Sequence, residues 1–170
     1  CQRYDFRTIA TARIAEHLAR VVKDEGVAAE PELLHLVARL GNGSMRDALS
    51  LLDRLLATGD KKLGVGLLEE LLGLPDRELV GGLLDAFAGA DAGGALSRAS
   101  ELLARGISID QVLDTLLDRF RDLMVMAACG ADTDLVDLSE QARAGEGRRA
   151  ARFDAAGLTH MIALTESVQR

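Results

Sequence analysis

The sequence predicts an all-α protein, on three observations. Leu and Ala dominate the apolar set, with 30 Leu and 26 Ala against 10 Val and 5 Ile in 170 residues. Leu and Ala favour helices, whereas β-branched and aromatic side chains fill strands. Aromatics make up 3% of the chain, with no Trp. Apolar residues recur at helical spacing along most of its length. An apolar fraction of 48% supports a packed core and argues against disorder.

The first segment is the exception. In Cys1–Phe6, Gln2, Tyr4 and Phe6 share one face and Arg3 and Asp5 the other, which is strand period. A lone strand needs a sheet from elsewhere. From Thr11 the period is helical, with Ile14, Leu18, Val21 and Val22 on one face and Gly26 as a stop. Pro31 suits the first turn of a second helix carrying Leu33, Leu34, Leu36, Val37 and Leu40. Gly41-Asn42-Gly43 breaks that helix, and Ser44 caps a third, with Asp47 three residues on. Its apolar face runs through Ala48, Leu49, Leu51, Leu52, Leu55 and Leu56 to Gly59, and a short helix follows over Val65–Leu72.

Leu74-Pro75 reads as a domain boundary, beyond which the charge turns acidic. Pro75–Asp118 holds eight acidic and three basic residues. Helices are expected over Asp76–Ala88, Ala92–Arg105 and Ile109–Cys129, the last capped by Ser108. Leu123–Ala128 is apolar on every side, so that stretch should be buried on several sides. Residues 130–137 connect to two further helices, Ser139–Arg152 and Asp154–Gln169. An exposed apolar patch is expected near Leu158, Ile162 and Leu164.

Function classes narrow quickly. A net charge of −7 disfavours nucleic-acid binding over the whole surface, because phosphate contacts need clustered Lys and Arg. Cys1 and Cys129 cannot frame a disulfide scaffold, and His17, His35 and His160 are too scattered for metal ligation. The chain reads as reduced and intracellular. No apolar run is long enough for a bilayer, and no signal peptide opens the chain. Glu69-Glu70 reads as a solvated face, Met124 and Met126 as core filler, and the sequence shows no nucleophile–base pair.

The informative segment is Gly41-Asn42-Gly43-Ser44-Met45-Arg46-Asp47-Ala48-Leu49-Ser50. A glycine-rich turn opening a helix leaves free N–H groups at the positive end of the dipole. Arg46 adds a planar, five-donor cation suited to phosphate. No Gly-Lys-Ser/Thr is present, so this is not a phosphate loop. From the residues alone, a capped helix with a surface Arg and one contact to a nucleotide held elsewhere both remain open.

A resemblance bears on that choice. Cys1-Gln2-Arg3-Tyr4-Asp5-Phe6-Arg7, Ile14 to Leu18, Glu30-Pro31-Glu32 and Gly43-Ser44-Met45-Arg46-Asp47-Ala48-Leu49-Ser50-Leu51-Leu52-Asp53 resemble, in order and spacing, the gamma/tau clamp-loader subunits of bacterial DNA polymerase III. Leu83-Leu84-Asp85, Glu101-Leu102-Leu103, Arg105-Gly106 and Arg121-Asp122-Leu123 match more loosely.

The resemblance implies a piece of a longer protein in three parts. Residues 1–10 would end an AAA+ ATPase core, 11–73 would form its small helical lid, and 75–170 a collar domain for oligomerisation, incomplete at its C-terminus. It implies that Arg46, with Ser44 and Met45, forms a sensor-2 nucleotide contact. It further implies that ATP and Mg²⁺ serve the parent protein, through motifs upstream of Cys1, and that this piece alone is not catalytic. The implied partners are delta, delta-prime and further gamma/tau copies, with the sliding clamp and primed DNA reached through the ATPase domain. The implied location is the bacterial cytoplasm at the replication fork, with no membrane. Two rivals remain: the lid of another AAA+ protein, such as a Holliday-junction helicase with a following winged helix, and a helical interaction adaptor without nucleotide.

Overall fold

A computed structural model describes residues 8–169. The strand expectation over Cys1–Phe6 lies outside them. The chain divides into two compact units, 1–71 and 72–170.

In the first unit, α1 (Thr11–Asp24), α2 (Pro31–Leu40) and α3 (Met45–Leu56) pack pairwise on one another. The buried residues are Ile14, Leu18 and Val22; Leu33, Leu34, Val37 and Ala38; Ala48, Leu52 and Leu55, a narrower set than the expected faces, with Leu40 exposed at the end of α2 and Ala38 buried in addition. Pro31 occupies the first turn of α2, where no N–H is needed. Two two-residue strands were not expected. β1 (Ala28–Ala29) and β2 (Lys62–Leu63) pair in parallel, Ala28 opposite Lys62 and Ala29 opposite Leu63. Strands this short carry no period to read. The pairing brings Glu30 to Lys62, at 3.2 Å, and to the Val65 amide, which donates to the Glu30 carboxylate at 3.3 Å. The hydrogen bond with Lys62, then that amide, hold the Glu30 carboxyl below its ordinary pKa. The carboxylate thereby caps α4 (Val65–Leu72), whose Leu68 is buried.

In the second unit, α5 (Arg77–Ala88), α6 (Ala92–Ala104), α7 (Ile109–Cys129), α8 (Glu140–Ala150) and α9 (Ala155–Val168) follow the expected order. Asp76, Ser139 and Asp154 prove to be N-caps, one residue outside helices expected to begin with them. Ser108 and Gln111 form a full capping box on α7. α7 is central: α5, α8 and α9 pack against it, and α6 packs on α5. The core joins Leu79, Val80, Leu83 and Leu84 of α5 to Val112, Leu116, Phe120, Leu123 and Met126 of α7. Phe87 and Phe120 meet at 6.0 Å with tilted rings.

Two burial expectations need correction. Within Leu123–Ala128, Leu123 and Met126 are buried and Met124 and Val125 half-buried, but Ala127 and Ala128 are exposed. Small residues on the far side of α7 need no cover. Leu158 is fully buried rather than part of an exposed patch, and Ile162 is half-buried. α9 turns Leu158 and Thr165, one heptad apart, inward, leaving Leu164 and Val168 exposed.

α8 is the least apolar helix, and ion pairs hold it. Glu146 is buried and accepts from Arg119 of α7 and, at 2.7 Å, from Arg149. Arg149 forks onto both Asp85 carboxylate oxygens at 3.1 Å, and Arg152 donates to Asp85 Oδ1 at 2.8 Å. Burial is the leading influence on Arg119 and pushes its pKa down, against the pull of Glu146. For Arg149 burial also opposes the charge, but hydrogen bonding to Asp85 and the Glu146 charge raise its pKa overall. Arg119, although charged, is only 15% exposed.

Candidate functional site

The site is built on the turn between α2 and α3. α2 ends at Val37–Leu40, and the Gly41 amide continues the helical bonding to the Val37 carbonyl at 3.0 Å. A Cβ on Gly41 would meet Ala48 Cβ at 2.8 Å, so glycine lets the turn lie against α3. Asn42 and Gly43 then take positive φ, +46° and +80°, and reverse the chain. Asn tolerates this region and Gly favours it.

The first four N–H groups of a helix lack intrahelical partners. Here the Ser44 amide donates to the Gly41 carbonyl at 2.8 Å, and the Asp47 amide donates to Ser44 Oγ at 3.3 Å. The amides of Met45 and Arg46, the first two helical residues, are left with no intrahelical acceptor. Ser44 and Met45 are half-buried and hold the turn; Arg46 is exposed. Its backbone carbonyl accepts from Ser50 Oγ at 2.9 Å, while its guanidinium has no hydrogen bond or ion pair with any described residue.

The arrangement therefore presents a guanidinium and two amides at the positive end of a three-turn helix. Guanidinium and helix-start amides are donors of the kind that bind phosphate. They do not fit a Mg²⁺ ion, which needs oxygen ligands. Among the described residues no group of three or more His, Cys, Asp or Glu could hold a metal ion.

One contact escaped the sequence reading. Ile9 donates its amide to the Gly43 carbonyl at 3.0 Å, and Thr8 rests against Gly43. Neither residue carries a motif, and nothing in the spacing brings residues 8 and 43 together. His17 is half-buried on α1, as a boundary residue, and His35 is half-buried on α2. No described helix is long and apolar enough to cross a membrane.

Comparisons with known proteins give two family matches. Residues 13–61 match the ATPase lid domain of the DNA polymerase III clamp loader subunit. Residues 66–165 match domain III of DNA polymerase III subunits gamma and tau. The chain is 33% identical over 167 residues to the DNA polymerase III subunit gamma/tau of Mycobacterium tuberculosis, covering 96% of this chain and 29% of that protein. It is 29% identical over 142 residues to the tau subunit of Escherichia coli, covering 81% of this chain and 22% of that protein. With the Bacillus subtilis tau subunit the identity is 28% over 125 residues, 74% of this chain and 22% of that protein. The chain thus spans under a third of the length of these curated relatives.

Proposed function

Because the chain belongs to the gamma and tau subunit family of DNA polymerase III, we propose that it serves a clamp loader which uses ATP to place a sliding clamp on primed DNA. Residues 1–10 end the ATPase core, residues 11–73 act as its lid, and residues 75–170 act as the collar. The observation that carries the reading is Arg46: an exposed guanidinium without a described partner, beside two open amides. A surface Arg gains little from solvent alone. Delivered to an ATP phosphate it makes charge-assisted bonds. Ser44 and Met45 set the direction of that first turn.

Residues 1–170 contain no phosphate loop, so this chain supplies one phosphate contact, and the remaining ATP and Mg²⁺ contacts come from other parts of the assembled subunit. The collar holds it beside delta, delta-prime and further gamma/tau copies in the bacterial cytoplasm. The rival with a winged helix would need strands and basic residues after Pro75. Among the described residues the second unit is built of helices, and its match is to domain III.

The test is Arg46→Ala in the full-length subunit within its assembled loader. A charge-assisted bond to phosphate is worth about 1.5–3 kcal/mol. ATP affinity should therefore fall roughly 10- to 150-fold, with slowed clamp loading and an unchanged melting temperature. Arg46→Lys should recover only part, because Lys lacks the planar fork. Normal ATP affinity and loading by the Ala variant would overturn the assignment.

A further inference from the structure

Two stretches of backbone fix the turn that carries Arg46. One is its own approach from α2. The other is Thr8–Ile9, just before α1. The Ile9 amide donates to the Gly43 carbonyl at 3.0 Å. A Cβ on Gly43 would meet Thr8 Cβ at 2.6 Å and Thr8 Cγ2 at 2.9 Å. Gly59 isolates the meaning of that distance. Its φ is +79°, against +80° at Gly43, yet nothing lies within 4 Å of where its Cβ would stand. Backbone conformation alone explains glycine at 59. At 43, glycine also admits a second segment of chain.

We propose that Gly43 and Thr8 are positioning residues for Arg46, locking the entry to α1 against the turn that aims the guanidinium. The proposal rests on the reading of Arg46 as a phosphate contact. The backbone path is short. Thr8 bears on Gly43, and the next residue, Ser44, is tied by its amide to Gly41 and by its hydroxyl to the Asp47 amide. Arg46 lies inside that closed cap. A displacement at Thr8 therefore moves the backbone from which the guanidinium reaches out, and a phosphate holding Arg46 pulls back on residues 8–9. That segment leads directly into α1, so nucleotide occupancy is felt where the lid begins.

The experiment measures affinity for a non-hydrolysable ATP analogue in the full-length subunit of the assembled loader. Gly43→Ala should weaken binding on the order of tenfold or more, as small misplacements of a positioned group do. Gly59→Ala, which imposes similar backbone strain without a clash, should change it less than about twofold, away from any shared partner. Adding Thr8→Gly to Gly43→Ala removes the two side-chain atoms that clash and should bring the loss back to the severalfold level of Thr8→Gly alone. Adding Gly43→Ala to Arg46→Ala should cost nothing further, because the positioned group is already gone. Additive losses, no recovery with Thr8→Gly, or an equal loss from Gly59→Ala would each overturn the proposal. If Gly43→Ala does not fold, Thr8→Gly alone decides. It should weaken binding severalfold in the native background and not with Arg46→Ala, and equal losses in both would overturn the proposal. Unchanged affinity in Arg46→Ala alone would remove the phosphate reading and the proposal with it. A large effect of Arg46→Ala with additive Gly43→Ala removes the positioning role only.

Discussion

Glu146 is the residue on which the second unit is most sensitive to loss of charge. Its side chain is 10% exposed and accepts from Arg119, 15% exposed, and Arg149, 18% exposed. Glu146→Ala leaves the two guanidinium groups in different positions. Arg149 keeps its fork on Asp85, so it loses one bond of three. Arg119 loses the carboxylate it donates to and stays in a site where burial already opposes its charge. Removing one partner of a buried pair costs about 3–5 kcal/mol, and the residual exposure of Arg119 points to the lower end, roughly 3 kcal/mol. In a unit of this size each kcal/mol moves the midpoint by about 4–8 °C, so the expected fall is roughly 12–24 °C. The chain has no Trp, so fluorescence is a poor reporter. Scanning calorimetry serves better, because the two units can melt separately. Glu146→Gln, which keeps the shape and loses the charge, should give about half the effect. Joint replacement of Arg119 and Glu146 by Met should cost little or stabilise, since both desolvation costs vanish together. A fall of less than about 0.5 kcal/mol for Glu146→Ala would show that water already serves Arg119, and the argument would fail.

Three further outcomes are expected. The Arg149 hydrogen bond, against opposing burial, and the charges of Arg149, Arg152 and Arg98 hold the Asp85 carboxyl below its ordinary pKa. Its contribution is therefore fully present above about pH 4 and lost as pH falls through the lowered folded value; Asp85→Asn should abolish that acid-side slope in calorimetric titrations. Met126 is 2% exposed within its own chain, so Met126→Asp buries an unpaired charge and should remove the second unit's melting transition while sparing the first. Ser44→Ala should lower the first unit's stability by about 0.5–1 kcal/mol, read from the same scans, because Ser44 Oγ caps one exposed amide.

The helices were legible because the sequence obeys one period for long stretches and marks its ends with strong chemistry. Ser44, Asp76, Asp91, Ser108, Ser139 and Asp154 all accept from a first-turn amide of the helix they precede. Gly130, at φ +93°, ends α7 where expected. What escaped was non-local. β1 and β2 are two residues each and pair across a separation of 34 positions, Ala28 with Lys62. Val136 and Leu138 are buried although they sit in a connection, where no period applies. Arg46 could be singled out because the turn and cap around it are local. The Thr8–Gly43 contact could not, since it joins residues 35 positions apart without charge or hydrophobic signal.

The same distinction separates the two ways in which this chain docks helices. α1, α2, α3 and α7 present continuous apolar stripes, so burial drives their packing and periodicity reveals it. α8, Glu-Gln-Ala-Arg-Ala-Gly-Glu-Gly-Arg-Arg-Ala, has no such stripe; Glu146 and Ala150 are its buried residues. Too little apolar area is available there to fix orientation. Arg149 and Arg152 on Asp85, and Glu146 between Arg119 and Arg149, fix it by geometry instead. Such networks add little net stability over a well-packed apolar core, but a wrong rotation or register leaves charges unpaired. Gly147 fits that role. Gly147 stands where a Cβ would meet Ala131 Cβ at 2.8 Å, so the connection after α7 lies directly on α8. Arg143 then donates to the carbonyls of Ala131, Thr133 and Val136 in that connection. α8 is thus pinned on both sides by directional bonds, and a helix weakened by two glycines and with little core is held in one register by arginines.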